Sequence, residues 1–144
     1  MRSLMLALSA ALLLTACGGG DDVSYLVGGS KTQYLSVQRE RTWLWSDWQV
    51  SVVVSRYPDC VRRHHVKNVS KDVVFKVELY RPLEGGFILH QGKRWYVADT
   101  AQCQLQQFEE PPAEPGDLLG TFAEVNGALQ FKAEDAAKGK AAGS

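Results

Sequence analysis

No run in this chain of 144 residues is long and apolar enough to cross a bilayer as a helix. The longest, Leu4 to Leu14, is about 11 residues, where a spanning helix needs roughly 20. Neither sign of charge is in excess, with 16 basic against 16 acidic residues. That balance argues against a nucleic-acid partner. Histidine and cysteine are scarce, at 3 each. The chain has no G-x-S-x-G turn, no H-E-x-x-H pair and no Gly-rich phosphate loop, so no assembled catalytic motif is visible. Internal repeats are absent as well.

What is present begins with an address. Arg2 precedes the apolar run, and Leu14-Thr15-Ala16-Cys17 follows it. A short positive segment, an apolar run and small residues before a cleavage point form a secretion signal. Leu14, Thr15, Ala16 and Cys17 resemble, position by position, the lipobox of bacterial lipoproteins. The resemblance covers residues 1–17 only. It implies cleavage after residue 16, a diacylglycerol thioether on Cys17 and acylation of the new amine. Two or three acyl chains hold where a single one would not, at about 0.8 kcal/mol per buried CH₂. In the sorting rule known for enteric bacteria, Asp at the position after the lipidated Cys retains the protein in the inner membrane; Gly18 there favours the periplasmic face of the outer membrane over the inner membrane.

Cleavage removes Arg2 and no acid, so the exported chain stays near neutral. With Cys17 taken by lipid, Cys60 and Cys103 form an even count in an oxidising space, which predicts a disulfide. Closing a loop of that length stabilises by roughly 4 kcal/mol in the chain-entropy model. The competing reading is a metal site from Cys60, His64 or His65, and Cys103, although no second ligand pair has zinc-like spacing.

Past the leader the patterning has period 2, which points to a mainly β fold. The expectation is a small antiparallel sheet, sandwich or half-barrel of about six or seven strands with one disulfide. Residues 17–32, Gly-rich and polar, read as a flexible lipidated tether. Residues 33–108 read as the β core. Tyr34, Leu35 and Val37 suggest a first strand, with Trp43 to Trp45 continuing the sheet edge. In Trp48 to Ser55, Trp48, Val50, Val52 and Val54 share one face, and Gln49, Ser51 and Ser55 the wet one. In Val73 to Tyr80, Val73, Phe75, Val77 and Leu79 oppose Lys76 and Glu78. Phe87 to His90 and Arg94 to Ala98 form a hairpin around Gln91-Gly92, which sets Ile88 opposite Trp95 and Phe87 opposite Tyr96. Residues 109–117 are a Pro-rich acidic linker. Residues 118–133 form a hairpin on Asn126-Gly127 that pairs Phe122 with Phe131 and Glu124 with Leu129. It cannot stand alone and is expected to join the main sheet. Residues 134–144 carry no large apolar side chain and read as a disordered tail.

Two stretches are candidate binding sites. Arg56, Arg62, Arg63, His64, His65 and Lys67 crowd one segment next to Cys60. Arginine pairs with phosphate and carboxylate in a bidentate fork, and His64 and His65 add charge in mild acid. The segment therefore suits an anionic group: a lipid phosphate, an acidic glycan or a partner's carboxylates. The plainer expectation is a solvated loop balanced by Asp59 and Asp72. Trp43 and Trp45, with Trp48 close by, either stack on sugars or fill a small core; burial of at least two is expected. The functional expectation is a lipid-anchored, non-catalytic envelope module with no cofactor and no metal. It contacts the membrane through its lipid, and an envelope protein or anionic glycan or lipid through a sheet edge or the arginine segment. A periplasmic binder of a sugar or lipid fragment is the second reading. A histidine- or metal-dependent envelope enzyme using His64, His65 or His90 is the third.

Overall fold

The computed structural model describes residues 19–134. Expectations for the leader, for Cys17 and for residues 135–144 lie outside the described residues. Among the described residues, ten strands build two antiparallel sheets. The first is a meander of β1 (Gly20–Leu26), β2 (Gln33–Glu40), β3 (Gln49–Arg56) and β4 (Cys60–His65), in that spatial order. The second contains β5 (Lys76–Arg81), β6 (Phe87–Gln91), β7 (Arg94–Asp99), β8 (Gln104–Gln107), β9 (Asp117–Val125) and β10 (Ala128–Ala133). Its order is β10-β9-β5-β6-β7-β8, so the Pro-rich segment carries the chain from one edge back to the far side of β5.

The core lies between the sheets. Leu35 and Val37 of β2 and Val50, Val52 and Val54 of β3 meet Phe75, Val77, Leu79, Phe87, Leu89 and Phe122. Each such side chain stabilises by about 1.5–3 kcal/mol on leaving water. The apolar face expected for β3 is therefore present. Its opposite face is not wet, because Ser51, Val53 and Ser55 are also buried. These residues sit on an interior strand, flanked by β2 and β4. Their hydroxyls stay satisfied: Ser55 donates to the Thr32 carbonyl at 2.9 Å, and Ser51 shares a 2.9 Å bond with His65 Nδ1.

Several local expectations shift. Residues 20–26 are not tether but strand, paired along their length from Gly20↔Glu40 to Leu26↔Tyr34. Trp43 to Trp45 do not continue a strand, since β2 ends at Glu40 and a turn closes with Ser46 N–H on the Trp43 carbonyl at 3.0 Å. Of the three tryptophans, Trp48 alone is buried. Val73 precedes β5 and is exposed. The β6–β7 turn is Gly92-Lys93, which puts Ile88 opposite Val97 and Trp95 opposite His90. The final hairpin has the expected register, Phe122↔Phe131 and Glu124↔Leu129, and β9 joins β5. Asn126 and Gly127 have φ of 52° and 82°, the left-handed pair that a type I′ turn requires.

The two sides of the sandwich differ. On one side β1 packs against β10, sealed by Arg39. Arg39 is 2% exposed. Its Nε donates to Asp21 Oδ1 at 2.7 Å and its Nη1 to Glu124 Oε2 at 2.8 Å. Its guanidinium lies 4.1 Å from the Trp48 ring centroid. Asp21 also accepts the Leu129 N–H. The other side, between the edges of β4 and β8, is fastened by the disulfide Cys60–Cys103, with Cα atoms 6.1 Å apart.

Candidate functional site

The segment that reads as a basic loop is the second arm of a hairpin. The Asp59 N–H bonds the Arg56 carbonyl at 2.8 Å and closes the turn, and β4 then pairs with β3 from Arg56↔Cys60 to Ser51↔His65. Strand alternation divides the basic residues. Arg62 and His64 lie on the side of Val54 and Val52, toward the gap between the sheets, while Arg63 and His65 lie on the side of Val53 and Ser51.

His64 is pinned across that gap. Its Nε2–H donates to the Cys103 carbonyl at 2.7 Å, an assignment that follows because a carbonyl only accepts. His65 is held by Ser51. Arg63 stands 3.7 Å from Glu40, a spacing worth little in water. Arg62 and Lys67 form no ion pair among the described residues. Beside this strand a cleft of about 550 Å³ opens between the sheets. Arg63, His64, His65 and Lys67 line one wall; Tyr96, Leu105 and Gln107 line the other. Burial pushes the Tyr96 hydroxyl up from its ordinary pKa, against the opposing effects of Arg94 and of a hydrogen bond from the Lys67 backbone.

The cleft takes in Arg63, His64 and His65 but not Arg56, which sits at the hairpin turn 3.6 Å from Asp59. Nor does it include Trp43 and Trp45, which stack on each other elsewhere, 5.6 Å between centroids. This cleft therefore does not join the arginines of β4 to the tryptophan pair. The metal reading of Cys60 and Cys103 falls, because the two sulfurs are bonded to each other. No family model matches the chain, and no curated protein or solved structure matches it.

Two features escaped the sequence reading. Arg39 continues the inward alternation Leu35, Val37, Arg39, and that apolar-face position was its visible signal. On the outer face of the second sheet, His90 stacks on Trp95 at 3.8 Å and bonds Glu78 through Nδ1 at 2.9 Å. Tyr80 donates to the same carboxylate. Burial, and then that bond, pushes Tyr80 up to about 12. A second cleft, of about 570 Å³, runs under the Pro-rich crossing, where Phe108 and Pro112 face Ile88 and Val97.

Proposed function

We propose that the chain is exported, acylated on Cys17 and held on the periplasmic face of the outer membrane, where it works as a non-catalytic binding module. Its contact is the cleft between β4 and β8, and its ligand is an anionic group on an envelope component. The supporting observation is that the edge strand β4 and the residues after it border the cleft with four basic groups, His64 from the inner face of the strand, Arg63 and His65 from its outer face, and Lys67 just beyond its end. A strand edge with unpaired backbone groups and long basic side chains offers both hydrogen bonds and charge to an acidic partner. Non-catalytic action is supported by the use of the groups that chemistry would need: both sulfurs are joined and His64 is committed to a backbone carbonyl.

Crosslinking in intact cells followed by pull-down tests this reading. An Arg63→Glu/Lys67→Glu double variant is expected to lose its crosslinked species about tenfold or more, since like charge now faces the ligand. Recovery of the same species at the same yield would rule the cleft out as the contact.

A further inference from the structure

The exposed tryptophans need an explanation of their own. Trp43, Leu44 and Trp45 are 45%, 53% and 66% exposed. They are nevertheless held in shape. Ser46 N–H closes the turn on the Trp43 carbonyl, Arg41 Nη1 donates to the Leu44 carbonyl at 3.0 Å, and the two indoles are within 7° of parallel. The Arg41 guanidinium packs 4.4 Å from the Trp48 centroid, which ties the turn to the core. No ionisable residue lies between Arg41 and Asp47. A neighbouring loop adds apolar surface. Lys71 N–H bonds Asp47 at 3.0 Å, and Val73 and Val74 of that loop are 52% and 84% exposed. Lys71 itself pairs with Asp72 at 3.0 Å.

The position of this apolar tip identifies its occupant. Gly20 pairs with Glu40, and the Arg41 N–H bonds the Gly19 carbonyl at 3.0 Å. The first described residue is thus fastened to the base of the tryptophan turn. Cys17 is two residues further back, a span of at most about 7 Å. We infer that the Trp43-Leu44-Trp45 turn is a second membrane contact that inserts into the headgroup region of the bilayer holding the Cys17 acyl chains. Tryptophan suits that layer because its ring is apolar and its N–H is polar. A solvent-facing stacked pair with apolar neighbours marks a contact surface, and this one lies next to the anchoring end of the chain. The inference rests on the acylation proposed above, and its test separates the two.

The full chain is expressed in a bacterial host, purified in mild detergent and reconstituted into phosphatidylethanolamine–phosphatidylglycerol vesicles. Half of the vesicles carry lipids brominated near the top of the acyl chain. Intact mass reports on Cys17. With acylated protein, bromolipid is expected to quench tryptophan emission by about a third or more, because two of four tryptophans sit in the inserted turn. Trp43→Phe/Trp45→Phe should abolish that quenching while the protein stays with the vesicles. Acylated protein whose emission is indifferent to bromine would overturn the inserted turn and leave the lipid anchor standing. An uncleaved or unacylated Cys17 would overturn both.

Discussion

Arg39 concentrates much of the specificity of the fold in one side chain. It reaches across both sheets, pairing Asp21 from the first and Glu124 from the second while its face lies on Trp48. An arginine does this where a lysine would not, because its planar fork serves two carboxylates and an aromatic ring together. Burial works against the charge of Asp21, but the bonds from Arg39 and the Leu129 N–H and the Arg39 charge outweigh it, so its carboxyl is held below the ordinary 3.8. The unfolded chain therefore takes up the proton first as pH falls. The stabilisation is whole above 3.8 and drains away as pH drops through the folded value. Denaturant midpoints measured between roughly pH 6 and pH 2 should show an acid limb that flattens in Asp21→Asn. Arg39→Ala should cost about 3 kcal/mol at neutral pH, since it empties a buried site beside Trp48 and Phe75 and takes the partner from the half-exposed Asp21 and Glu124.

At the scale of elements, β4 owes its place to a covalent tie. Cys60 opens the strand and joins Cys103 across the open side, at a sequence separation of 43. Cys60→Ser/Cys103→Ser is expected to lose about 4 kcal/mol, read as a lower urea midpoint. Elements that were legible in the sequence are those whose signal is local. Asn126-Gly127 dictates its own turn and hence the β9–β10 register, and Val50, Val52 and Val54 announce β3 by alternation. β1 was illegible because Gly20-Asp21-Asp22 reads as a linker, while what orders it comes from β2 and from Leu129, far along the chain. β4 was hidden because Val61-Arg62-Arg63-His64-His65 has the charge of a solvated loop, which is also how an edge strand protects itself. The basic wall of the cleft was therefore visible in the sequence. Tyr96, Leu105 and Gln107 opposite it were not, because only the packing of one sheet on the other brings them there.

The molecule as a whole is a sandwich closed on one side and open on the other. Among the described residues, interior strands β3, β5 and β9 are bonded on both flanks, whereas β4 and β8 are each paired on one flank. Native-state hydrogen exchange should rank them accordingly, with amides of β4 and β8 opening well before those of β3 and β9. Uniform protection across all four would refute the open side. The pairing of β1 with β2 has a mechanical consequence. Its first residue, Gly20, is bonded to the end of β2, and its Asp21 is clamped to Arg39. A tug on the leading end runs lengthwise along β1, so the load falls in shear on the whole ladder at once and on the arginine clamp behind it. The strand resists being drawn out like a ribbon gripped along its length, where one peeled from the side would give way a rung at a time.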